Sequence, residues 1–113
     1  MNAFRVAVES LAMLPGVRGA VIAAPDGVII DCVVHTDVRA DALAAFGSSV
    51  LALAGAVAAA TSLARPRCVA IDAEAGRLYL ARNDDVAIVV LAEPRTSTGR
   101  LRIALRQALE SLA

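Results

Sequence analysis

The chain has 113 residues, enough for one domain and too few for two. Eleven cations balance eleven carboxylates, so the formal net charge is zero, with neither a basic footprint for nucleic acid nor an acidic tail. Three aromatics (Phe4, Phe46 and Tyr79) are too few for a base-stacking or sugar-binding platform.

Every cation is Arg, as GC-rich bacterial coding would produce. Hydrophobic residues make up 58% of the chain and mean hydropathy is +0.68, high for a monomer and consistent with an extra buried surface. Arg5 and Glu9 interrupt the N-terminal stretch, which does not read as a signal peptide. Cys32 and Cys68 are expected to be reduced in a cytoplasmic protein. No linker or internal repeat divides the chain, so residues 1–113 read as a single domain.

Residues 2–14 place Phe4, Val8, Leu11 and Ala12 on one helical face, and Pro15-Gly16 ends that helix. Val17–Ala24 and Val28–Val34 read as a hairpin turned by Pro25-Asp26-Gly27. A long helix is predicted from Asp37 to Ala64. Three short strands follow: Arg67–Asp72, Arg77–Arg82 and Val86–Ala92. Ser97 or Thr98 is placed to cap a last helix, with Leu101, Leu105, Ala108, Leu109 and Leu112 inward and Arg100, Arg102, Arg106 and Glu110 outward.

Residues 42–64, within the long helix, contain no charge. The run is long enough for a membrane span, but it is mostly Ala, Gly, Ser and Thr and lacks flanking aromatic belts or an orienting cationic cluster, which argues against one. Leu43, Phe46, Val50, Leu53 and Val57 recur at helical spacing and are expected to face the chain's own core. The small-residue face roughly opposite is expected to pack on a second copy, with close helix–helix approach at Gly55 and Ala58.

Strand polarity sets the sheet order. The first and last strands are apolar at nearly every position, as central strands are, while the other three carry polar residues on one side. Together these features define an α/β (α+β) fold of order αββαβββα. Its five-stranded antiparallel sheet would run 2-1-5-4-3, with the long helix on one face and the two shorter helices on the other. The third strand is left on an edge, where it can template another chain.

This arrangement resembles the Roadblock/LC7 family. The resemblance is carried by LPGVRGAVIAAPDGVII at 14–30, the small-residue helix at 42–64 and GRLYLARNDDVAIVVLAE at 76–93. It implies a homodimer with a sheet continuous across the two-fold, and as partner a Ras-like small GTPase. For light-chain-like members it implies instead a structural adaptor that bridges larger proteins. It implies no shared catalytic residues, metal site or cofactor. The residues after the predicted last helix are few, so the C-terminal extension of some bacterial members is expected to be absent, which would favour a scaffold over a GTPase-activating role.

The predicted pairing surface comprises Ala44, Ser48, Leu51, Ala52, Gly55, Ala58 and Ala59 on the long helix, with Cys68 and Ala70 on the edge strand. Asp37, Arg39, Asp41 and Arg65, at the polar ends of the helix, are the candidate GTPase contacts. Cys32 and His35 have a C-x-x-H spacing, but a metal would need two further ligands, and only Cys68 and Asp72 are available. Arg100, Arg102 and Arg106 form a cationic strip on the last helix, which reads either as an anionic docking site or as an ordinary solvated face.

Overall fold

A computed structural model describes residues 2–113. Helix α1, Ala3–Ala12, is capped by the Asn2 side chain, which accepts from the Arg5 amide at 2.8 Å. Strands β1 (Val17–Ala23) and β2 (Ile29–Val34) form the hairpin, closed by the Ala24 amide donating to Val28 O. Helix α2 (Ala40–Ala60) leads to β3 (Cys68–Ala73), β4 (Gly76–Arg82) and β5 (Ala87–Ala92). Helix α3, Thr98–Ser111, is capped by Ser97, whose hydroxyl accepts from the Arg100 amide.

The five strands form one antiparallel sheet of order β2-β1-β5-β4-β3. β1 and β5 are buried at all but one position each, as their apolar composition requires of central strands. On one face Val8 and Leu11 of α1 and Leu101 and Leu105 of α3 pack against Ile22, Tyr79, Ile88 and Val90. On the other face α2 packs against Val21, Leu80 and Val89.

Helix α2 is shorter at both ends than the predicted Asp37–Ala64. Residues before Ala40 form a turn held by the Val38 amide donating to His35 O at 3.0 Å. At the far end Ser62 (φ 58°) and Ala64 (φ 62°) take left-handed conformations. The Leu63 amide turns back to Ala58 O at 2.9 Å, closing the helix without a glycine. Left-handed geometry costs an L-residue about 1–2 kcal/mol, so Ser62 and Ala64 give no sequence signal of the stop.

The orientation of α2 also corrects the expected division of its faces. Its buried residues are Leu43, Ala44, Gly47, Leu51 and Ala58. Leu43 points inward as predicted and Val50 is half-buried. Phe46, Leu53 and Val57 point outward, at 45%, 68% and 62% exposure. Space decides this. A Cβ on Gly47 would lie 2.4 Å from Val89 Cγ2 and 3.3 Å from Leu80 Cδ2, so at this point the helix rests so close to β4 and β5 that no side chain fits between them, while Leu43 and Leu51 fill the space to either side.

Gly47→Ala should therefore destabilise the fold by about 1–3 kcal/mol, the cost of overpacking, although alanine is the better helix former. Gly99→Ala on α3, where a Cβ meets nothing within 4 Å, should be neutral or stabilising. Urea unfolding of the two variants checks the contrast.

Candidate interaction surface

The outward side of α2 carries three large apolar residues, Phe46, Leu53 and Val57, among exposed Ala45, Ala52, Ala56, Ala59 and Ala60. No charged side chain interrupts it. α2 lies over β2, β1 and β5, leaving the β4–β3 part of that sheet face less covered. There Val69, Ile71 and Leu78 are half-buried, with Val69 paired to Leu80 and Ile71 to Leu78. An apolar helix side thus adjoins an apolar sheet shelf that ends at the free β3 edge.

The predicted pairing residues divide accordingly. Ala52 and Ala59 are exposed on α2, and Ala70 is exposed on β3. Cys68 and Gly55 are half-buried, and a Cβ on Gly55 would meet nothing within 4 Å. Ser48 is half-buried and its hydroxyl donates to Pro25 O at 3.3 Å. Ala44, Leu51 and Ala58 are only 2%, 5% and 3% exposed within their own chain, so they cannot offer contact area to a partner. Phe46, Leu53 and Val57 belong to this outward surface although their helical spacing points to the core. Gly47 is the available signal, since Ala44, Gly47 and Leu51 follow helical spacing and mark the side that approaches the sheet most closely.

The four candidate charges fall at two ends of α2. Asp37, Arg39 and Asp41 gather at its start. Asp37 is paired with Arg18, and Arg39 donates to Asp41 at 2.8 Å. The Arg39 guanidinium holds the Asp41 carboxyl below the ordinary carboxylate value, and Asp41 raises Arg39 in return. Arg65 lies beyond the other end of this 21-residue helix, roughly 30 Å away at 1.5 Å per residue, and pairs with Asp84 at 2.6 Å. One chain therefore does not bring Arg65 to the other three.

The thiols are separated more decisively. Cys32 on β2 and Cys68 on β3 occupy opposite edges of the sheet, four strand spacings or about 19 Å apart. Both are free. Among the described residues no three His, Cys, Asp or Glu side chains gather as a metal would require.

The three-layer order, the sheet sequence and a long apolar helix beside a free edge define a small α/β domain with an uncovered apolar face. Residues 4–92 match the family model described as Roadblock/LC7 domain, and the chain belongs to the Roadblock/LC7 family. No curated protein matches its sequence. Among solved structures it is similar to a Roadblock/LC7 domain from Streptomyces avermitilis (TM-score 0.87, 18% identity, covering 95% of this chain and 92% of that one). It is also similar to Myxococcus xanthus MglB (TM-score 0.87, 19% identity, 97% and 84% covered). The gliding protein MglB from Thermus thermophilus gives TM-score 0.86 at 19% identity, with 98% and 86% covered.

Replacing Cys32 or Cys68 by Ser should move the thermal midpoint by no more than a few degrees, and added zinc should not shift it in either variant or in the parent. A zinc-dependent rise in the parent that one thiol variant loses would reveal a site assembled between copies.

Proposed function

We propose that the chain is a non-catalytic cytoplasmic module that pairs with a second copy and, as a pair, binds a Ras-like small GTPase as regulator or scaffold. The observation that carries the pairing is the outward face of α2. Complete burial of a Phe, Leu or Val side chain contributes about 1.5–3 kcal/mol, so leaving Phe46, Leu53 and Val57 in water forgoes several kcal/mol. A two-fold through the β3 edge would let the partner's α2 cover the Val69–Leu78 shelf while the two β3 strands satisfy each other's free backbone groups. Contact would then run through Phe46, Leu53, Val57, Ala52, Gly55 and Ala59 on the helix, and through the edge backbone at Cys68 and Ala70.

An antiparallel pair of α2 helices would bring the partner's C-terminal end, and its Arg65, toward Asp37, Arg39 and Asp41. Charges that one chain keeps apart would then share one platform. Such a platform can bind a switch loop more tightly in one nucleotide state, shifting the GTPase by differential affinity. The family membership supports this partner class, and the uncovered apolar side of α2 suits an interaction role.

Sedimentation at low micromolar concentration should give about twice 11.6 kDa. Leu53→Glu combined with Val57→Glu should give a folded monomer, because both positions are exposed in a single chain. A parent that sediments as a monomer would contradict the pairing. For the partner, calorimetry against a Ras-like GTPase encoded beside this gene should show a preference between its GDP and GTP-analogue forms. Arg39→Glu with Asp41→Arg should weaken binding about tenfold without disturbing the pair. Equal affinity for both nucleotide states would leave the bridging-adaptor role, and no binding would reject the GTPase as partner.

A further inference from the structure

The loop from α1 to β1 and the loop from β5 to α3 flank a recess of about 240 Å³. The two loops are tied together by the Glu93 amide, which donates to Gly16 O at 2.8 Å. The start of α3 is held as well. Arg77 of β4 donates to Thr96 O at 2.9 Å and to Thr98 Oγ1 at 3.0 Å, and the Tyr79 hydroxyl lies 2.9 Å from the same Thr98 oxygen. Leu14, Pro15 and Leu101 form the apolar part of the recess wall, and Arg95, Thr96 and Arg100 line it from the β5–α3 loop and the first turn of α3.

Thr96 sets this recess apart. It is the one buried polar residue among those described, at 8% exposure. Its amide donates to Glu93 O at 3.1 Å and its carbonyl accepts from Arg77, yet its hydroxyl is shielded and has no hydrogen-bond partner. A buried hydroxyl left unpaired is destabilising, and valine would fill the same space without that cost. The hydroxyl sits in the recess wall beside Gly16, where a Cβ would lie 2.3 Å from Thr96 Oγ1. Gly16 also has φ 86°, so bare backbone is required at this point. Arg95 and Arg100 have no carboxylate within salt-bridge distance among the described residues. Glu93 is the one acid on the recess, so two guanidinium groups stand against one carboxylate, and the start of α3 adds the positive end of its dipole.

We propose that the recess binds a small phosphate monoester. Arg95 and Arg100 take its phosphoryl oxygens, the Thr96 hydroxyl donates to one of them from the wall, and the organic part rests on Leu14, Pro15 and Leu101. A phosphoryl group suits two guanidinium forks and a hydroxyl, since it offers three acceptor oxygens and close to two negative charges. A carboxylate offers two oxygens and one charge. Pockets that bury a drug-sized ligand measure about 300–1,000 Å³, so a recess of about 240 Å³ favours phosphate with only a few further atoms. No residue of α2 or β3 lines it, so the site is independent of the pairing surface and of the GTPase reading.

The test titrates the full, isotope-labelled chain with inorganic phosphate, glycerol 3-phosphate and acetate, read by calorimetry and by backbone amide shifts. Both phosphates should bind saturably, weaken as salt rises and shift the amides of Gly16, Thr96 and Ser97, and acetate should bind more weakly than either. Arg95→Gln with Arg100→Gln should reduce phosphate affinity about tenfold, while Arg102→Gln should leave it unchanged. Thr96→Val separates a ligand-binding hydroxyl from a structural one. In phosphate-free buffer this variant should melt at or above the parent's midpoint, because no hydrogen bond is lost, while its phosphate affinity falls about fivefold. A lower midpoint without phosphate would show that the hydroxyl already has a partner, and would overturn the proposal. Absent binding, acetate binding as tightly as phosphate, unchanged affinity in Thr96→Val, or shifts centred away from the two loops would each overturn it as well.

Discussion

The contact that governs the molecule is the approach of α2 to the sheet at Gly47. Val89 and Leu80 leave no room there for even a methyl group, and the residues that follow Gly47 around the inner side must be compatible with that spacing. Ala44 and Leu51 complete the contact. Once the small side is committed inward, Phe46, Leu53 and Val57 have only the outward direction left. A water-facing helix surface ordinarily carries charge; this one carries none, and its large side chains are those least suited to solvent. The helix is also long and apolar enough to cross a membrane by length and composition, yet one side of it is packed on the chain's own sheet.

The two edges of the sheet reinforce the asymmetry. β2 carries Asp31, which accepts from Arg5 of α1 at 2.6 Å, a charged interruption of the kind that discourages edge-to-edge pairing. β3 reads Cys-Val-Ala-Ile-Asp-Ala, and on the α2 side its Val69 and Ile71 are only half covered. The β3 edge and the apolar helix side adjoin, so one symmetry operation would cover both. On the opposite face α1 and α3 fill their side of the sheet.

Much of this was legible in the sequence because it rests on pattern. Runs apolar at nearly every position, Val17–Ala24 and Val86–Ala92, identified the central strands, and with them the order β2-β1-β5-β4-β3. The Asn2 cap of α1 and the left-handed ends of α2 were not marked, the latter because Ser62 and Ala64 occupy positions where glycine is the usual sign. The orientation of α2 was hidden for a different reason. When a helix carries no charge beyond its first turn, polarity distinguishes inside from outside poorly, and volume decides instead. Volume depends on Val89 and Leu80, about forty residues away in the chain.

Pairing through the apolar surface around α2 and β3 is the claim on which the functional account rests, and hydrogen exchange tests it with an internal control. β2 and β3 are both edge strands in an isolated chain, so their outward-facing amides should exchange alike. In the paired protein at low micromolar concentration, the outward amides of β3 should exchange far more slowly than those of β2. Equally fast exchange at the two edges would contradict the account.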